Sequence, residues 1–157
     1  MPNKQHTYTV EVEWTGNLGT GTSSYRGYTR DHTISAAGKQ PILGSSDPAF
    51  RGDKTRWNPE EMLLAAIATC HQLWYLHLCS DAGIVLVGYR DTPIATMAEH
   101  ADGSGEFVSA TLRPHATLAP GSDADLALRL HDKAAAMCFV ARSLNFPVGH
   151  APTVAFA

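Results

Sequence analysis

The stretch from Asn58 to Gly83, NPEEMLLAAIATCHQLWYLHLCSDAG, constrains this chain more than any other, because it carries both ends of a helix. Asn58 is suited to the N-cap. Pro59 then has its φ preset for a first helical position and lacks an N–H that would have had no partner there. Glu60 and Glu61 put negative charge on the first turn, and Glu61 stands three after Asn58, as in a capping box. Gly83 suits the left-handed residue beyond the last turn. Between the caps Met62, Leu63, Leu64, Ile67, Leu73, Trp74, Tyr75, Leu76 and Leu78 leave no polar stripe. A surface helix would show one, so the expectation is a core helix with protein on most of its circumference.

The rest of the composition excludes several classes. The chain has 157 residues, 44% hydrophobic and 17% charged, which favours a single folded domain over residues 1–157. A net charge of −3 without a basic run argues against nucleic-acid binding. The apolar run from Met62 to Ala68 is broken by Thr69, His71 and Gln72, so neither a membrane span nor a secretory leader is expected. Three cysteines without dense spacing imply reduced thiols in a cytoplasmic protein.

Along the chain, residues 6–14 alternate cleanly. Tyr8, Val10, Val12 and Trp14 share one face, a half-buried strand. TGNLGTGTSS is a turn, and it lacks the Gly-Lys-Ser/Thr of a phosphate loop. A second strand is expected over 25–34, antiparallel to the first. Residues 36–57 show no period and form a loop of roughly 20 residues, a length often tied to function. It delivers Phe50, Arg51, Arg56 and Trp57 to the helix start. Strands are expected at 84–89 and 92–97. HADGSGE is a hairpin tip, and 107–118 is one longer strand with an edge or bulge at Pro114. Ser122 and Asp125 open a second amphipathic helix that ends near Asn145, and TVAFA supplies a last strand. The order β-β-helix-β-β-β-helix-β is an α+β pattern.

Cys70 and Cys138 are the residues to weigh for chemistry. Each is either an inert core thiol or a nucleophile, and the two can pair only with Cα atoms within roughly 7 Å. Cys79 lies nine residues past Cys70, about 13 Å along the axis, and cannot bridge it in an intact helix; it is expected to be inert. Cys70, His71, His77 and Cys79 do not gather on one helical face, so no metal site is expected. His71 points about 100° away from Cys70, so a histidine that activates Cys70 would have to come from elsewhere.

Asn-Pro-Glu-Glu followed by an apolar helix with Cys70 ten residues beyond Glu60 resembles the OsmC/Ohr family of thiol-dependent peroxidases. The segments Ala136–Ala141 (AMCFVA) and Ser143–Val148 (SLNFPV) resemble that family's second cysteine region. The likeness runs from the first strand to the second helix. It implies an OsmC-like α+β fold, antiparallel sheets wrapped around two long core helices in an intertwined homodimer. It also implies a peroxidatic Cys70, a resolving Cys138 that closes a disulfide with it, and Glu60 holding an arginine that stabilises the thiolate. By position Arg51 matches the OsmC-type arginine best, Arg26 matches the Ohr-type placement, and Arg56 is a third choice. His71 stands where Phe is commoner. The resemblance implies an organic hydroperoxide as substrate and a dithiol or small-thiol reductant, with no cofactor, nucleic acid or membrane.

The chemistry is coherent with those residues. A buried thiol holds its proton, an arginine favours the anion and binds peroxide oxygens, and a second thiol spares the first from irreversible oxidation. Glu60 and Cys70 are separated by about 15 Å of helix rise, so Glu60 is expected to serve the Cys70 of a second copy. Two further function classes stay open: a non-redox ligand-binding domain with inert cysteines, and a cysteine acyl-transfer enzyme.

Overall fold

A computed structural model describes residues 3–157. Contacts divide them into two compact units, one up to Met62 and the other Leu63–Ala157. The fold is α+β, as expected.

In the first unit, β1 (Glu11–Trp14), β2 (His32–Ser35) and β3 (Ile42–Gly44) form an antiparallel sheet in chain order. β1 is shorter than the alternating stretch, and its apolar face is open to solvent, with Val12 65% and Trp14 42% exposed. β2 begins only at His32. Upstream, the Arg30 guanidinium donates to the carbonyls of Tyr25 and Tyr28, each at 2.8 Å, and so occupies groups a strand would have paired. The expected loop 36–57 contains β3 and a 3₁₀ turn at Pro48–Phe50. β3 was hidden because its three residues, Ile42–Gly44, are too few for a period.

Helix α1 spans Pro59–Asp81. Its capping box forms: Asn58 Oδ1 accepts from the Glu61 amide at 2.8 Å, and Glu61 Oε2 lies 3.5 Å from the Asn58 amide. Gly83 takes φ 74°, and the Ile84 amide donates to the Cys79 carbonyl at 2.9 Å, closing the C-terminus. The helix is not buried all round. Ile67, Ala68, His71, Tyr75, Leu78 and Cys79 are buried, while Leu73 is 64% exposed.

In the second unit, β4 (Leu86–Asp91), β7 (Pro114–Leu118) and β9 (Thr153–Phe156) form one sheet, and β5 (Ile94–Glu99), β6 (Gly105–Leu112) and β8 (Val148–His150) another. Each is mixed: β4–β7 and β5–β6 are antiparallel, whereas β7–β9 and β6–β8 are parallel. The single strand expected over 107–118 is two strands in different sheets. The break falls at Arg113, whose amide donates to Asp91 Oδ1 at 2.8 Å instead of a ladder. Pro114, which has no amide hydrogen, is the first residue of β7, where none is needed.

Helix α2 spans Ala124–Met137. Its N-cap is Asp123, which accepts from the Leu126 amide at 3.0 Å; Ser122 Oγ accepts from the Val85 amide instead. The helix stops eight residues before Asn145. Cys138 turns to extended backbone (φ −67°, ψ 111°), Arg142 Nη1 caps the Ala136 carbonyl at 3.2 Å, and a 3₁₀ turn follows at Ala141–Ser143. Two buried clusters form this unit's core. Tyr75, Leu78, Cys79, Ile84, Ala116, Leu118, Ala127 and Ala134 make one, and Ile67, Ala68 and Leu112 the other.

Candidate functional site

The early end of α2 places Cys138 at a helix terminus, facing α1. The Cys138 side chain is buried, and its Sγ accepts from the Ala141 amide at 3.5 Å. Burial pushes its thiol up to about 11, and the hydrogen bond and charge of neighbouring Cys70 push the same way against the Ala141 amide. The two thiols are thus neighbours, and both are free. Cys70 itself is half-buried, so a small molecule can reach it.

An apolar wall stands beside the pair. Trp74, one turn after Cys70, packs edge-on against Phe139, the residue after Cys138, with centroids 5.6 Å apart. Phe139 is 70% exposed. Leu73, Trp74 and His77 line a shallow cavity of about 280 Å³.

The polar residues expected at the site lie in the first unit. Arg51 is the one described non-glycine residue with positive φ, at 64°. A side chain in that conformation costs about 1–2 kcal/mol, and strain of this kind persists only where neighbours enforce it. They do so here. The amides of Phe50 and Gly52 donate to the Asp47 carbonyl, at 2.8 and 3.1 Å, and the Arg51 amide donates to that of Pro48 at 3.0 Å. A Cβ on Gly52 would collide with the Ser46 carbonyl, so glycine is required there. The Arg51 guanidinium is exposed and lies 6.0 Å from the Tyr25 ring centre. Arg56 is engaged otherwise, donating to the His32 carbonyl at 3.3 Å and lying 3.7 Å from Asp31. Arg26 is exposed. Glu60 carries an anomaly: its Oε2 is buried and has no hydrogen-bond partner among the described residues.

Sequence reasoning missed a buried histidine pair. His71 Nε2 and His131 Nδ1 share a hydrogen bond of 2.9 Å between rings only 4° from parallel. Burial lowers His71 to about 4 and His131 to about 3, with nearby histidines adding to the effect, so both rings are neutral at physiological pH. The available signal was their spacing. His71 recurs with Tyr75 and Leu78 on the buried face of α1, and His131 with Ala127 and Ala134 on that of α2. Cys79 sits in the same core, pushed up by burial, as an inert thiol would be. His77 lies instead on the exposed side beside Asp81, 3.3 Å away. Among the described residues no group of three or more ligand side chains is arranged to hold a metal ion.

A family model described as OsmC-like protein matches residues 52–150, well over half of the chain. The chain belongs to the OsmC-like family. Among solved structures, this OsmC-like chain is similar to an OsmC-like protein of unknown function from Vibrio cholerae, at 22% identity and TM-score 0.85 over 94% of this chain and 99% of that one. It is also similar to an organic hydroperoxide resistance protein from Legionella pneumophila, at 17% identity and TM-score 0.66 over 96% and 99%. A third, an organic hydroperoxide resistance protein from Elizabethkingia anophelis, has 16% identity and TM-score 0.66 over 98% and 100%. At such identities the likeness establishes the OsmC-like fold. Among curated proteins none matches the sequence.

Proposed function

We propose that this OsmC-like protein is a cysteine-based peroxidase that reduces organic hydroperoxides to alcohols. The observation that carries the reading is the pair of free, neighbouring thiols in unlike settings: half-buried Cys70, and Cys138 buried with its proton held. Two of its structural neighbours are named for organic hydroperoxide resistance. The Cys70 thiolate attacks a peroxide oxygen and the O–O bond breaks. The alkoxide takes a proton and leaves as alcohol, and Cys70 becomes a sulfenic acid. The Cys138 sulfur then displaces its hydroxyl as water, and the Cys70–Cys138 disulfide forms. A dithiol or small thiol restores both thiols. Leu73, Trp74 and Phe139 beside the pair favour an organic over a purely aqueous substrate.

Glu60 and Arg51 complete the site in this reading, each supplied by a second copy of the chain. A buried carboxylate oxygen without a partner is costly unless something pairs with it, and Glu60 Oε2 is such an atom. Arg51, held in a strained turn with its guanidinium free to reach outward, is the cation that fits Glu60 and the thiolate. The exposed faces of β1 and α1 are apolar enough to cover such a partner. By length and composition α1 would also suit a membrane. Its opposite face carries His71 in a polar bond to α2, so a protein partner fits better than lipid. Free thiols suit a reducing compartment such as the cytoplasm.

The test is peroxide consumption with a dithiol reductant. Wild type should turn over an alkyl hydroperoxide, and Cys70→Ser should not. Equal rates in the two proteins end the enzyme reading.

A further inference from the structure

The histidine pair takes no part in the chemistry above, yet its two members lie on the segments that carry the two thiols. His71 follows Cys70 on α1, and His131 precedes Cys138 by seven residues on α2. Two side-chain bonds join these helices here: His71 to His131 at 2.9 Å, and Tyr75 Oη donating to the Ala127 carbonyl at 2.8 Å. Apart from the stacking of Tyr75 on His131, the rest of this core is apolar packing, which is non-directional. A slide of one residue along a helix moves a side chain about 1.5 Å and turns it about 100°. Disulfide closure tolerates neither, since it needs Cα atoms roughly 4.4–6.8 Å apart and facing Cβ vectors. The bond between two parallel imidazoles is directional, and it acts one residue from Cys70.

The pair is also expensive to keep. One ring donates and the other accepts, and His131 Nε2 is left buried without a partner in either tautomer. An apolar pair of the same shape would avoid that orphan and cost little. Retention of two polar rings at this point calls for a role in geometry.

We propose that the His71–His131 hydrogen bond is a positioning device that fixes the rotation of α1 so that Cys70 faces Cys138 for disulfide closure. The inference rests on the reading that these two cysteines form a disulfide, though not on peroxide being the oxidant.

The experiment is a glutathione redox titration, with the Cys70–Cys138 disulfide quantified by peptide mass mapping. The protein dithiol and oxidised glutathione give the protein disulfide and two reduced glutathiones. The equilibrium constant is then the effective concentration of one thiol at the other. His71→Gln keeps a hydrogen-bonding atom near Nε2 and should match wild type. His71→Phe keeps the ring and loses the bond, and the constant should fall by about fivefold to tenfold, the worth of one directional hydrogen bond. Tenfold is about 30 mV for this couple. His71→Phe with His131→Phe removes both polar rings without leaving His131 Nδ1 unpaired. It should fold, and it should show the same loss.

A double variant that folds and titrates like wild type overturns the proposal. So does His71→Gln falling as low as His71→Phe. If wild type closes in glutathione but consumes no hydroperoxide, the peroxidase reading fails and the positioning role stands. If wild type never closes, the positioning role falls whatever the peroxide assay gives.

Discussion

Tyr75 stacks on His131 with ring centroids 3.7 Å apart and planes within 12°, so the α2 imidazole is packed against an aromatic face as well as bonded to His71. This environment admits a neutral ring and penalises a charged one. Its consequence is acid sensitivity. The folded values, about 4 for His71 and about 3 for His131, lie below the ordinary 6.5. The unfolded chain therefore binds more protons than the folded one in that interval. Stability is complete above about pH 6.5 and falls as pH drops from there toward 4 and then 3, by up to about 1.4 kcal/mol per unit for each proton. At 2.9 Å the first charge opposes the second, which keeps the folded pair neutral, so both protons of the unfolded chain count and the loss approaches that of two protons. Urea midpoints at pH 8, 6, 5 and 4 check this. A midpoint level from pH 8 to pH 5 contradicts it, and the double Phe variant should flatten the slope.

Asn58 is 5% exposed and holds the first turn of α1 through its bond to the Glu61 amide. Asn58→Ala leaves that amide without its cap and should lower stability by about 1 kcal/mol, whereas Asn58→Ser, which can still cap, should lose only a few tenths. Chemical denaturation of the two variants measures the difference. Equal losses would mean that the side chain matters through packing and not through its cap.

The same residue shows which parts of the fold were legible in the sequence. The ends of α1 were readable because every signal, from Asn58 and Pro59 to Gly83, acts within four residues of where it stands. The break between β6 and β7 was not, because Asp91, 22 residues upstream, captures the Arg113 amide. The end of α2 was hidden for a similar reason. Helical spacing continues through Ala141 and Leu144, but Arg142 folds back to cap Ala136 and leaves Cys138 at the terminus. Cys70 and Cys138 were marked by motif, and their meeting depends on that early stop. His71 was weighed only for its direction from Cys70, and the partner that explains it lies 60 residues away on α2.

Arg51 permits a separation of stability from activity. Its φ of 64° favours glycine. Arg51→Gly relieves about 1–2 kcal/mol of strain against a gain in unfolded-chain entropy worth about 0.4–1 kcal/mol. The variant should be as stable as wild type or more stable by about 1 kcal/mol. If Arg51 supplies the cation to the thiolate, the same variant should lose at least about tenfold in hydroperoxide turnover, about the 1.4 kcal/mol low end for a charge-assisted hydrogen bond. Arg56→Ala should show the reverse pattern, because its guanidinium is committed to Asp31 and the His32 carbonyl. An Arg51→Gly protein with full turnover would hand the role to Arg26.

Cys138→Ser isolates the second half of the reaction. In the proposed reaction a sulfenic acid on Cys70 has a neighbouring sulfur to meet. A serine hydroxyl cannot displace it. Cys79 cannot substitute, since it faces the core with Tyr75 and Tyr89, nine residues along the same helix. Half-buried Cys70 stays open to further peroxide and should climb to the sulfinic acid, which thiols do not reverse. One equivalent of alkyl hydroperoxide should therefore give one disulfide in wild type. Excess should add two oxygens to the Cys70 peptide in the variant. Intact-protein and peptide mass spectra read both outcomes. A variant whose Cys70 remains a free thiol under excess peroxide would show that Cys70 is not the residue peroxide meets.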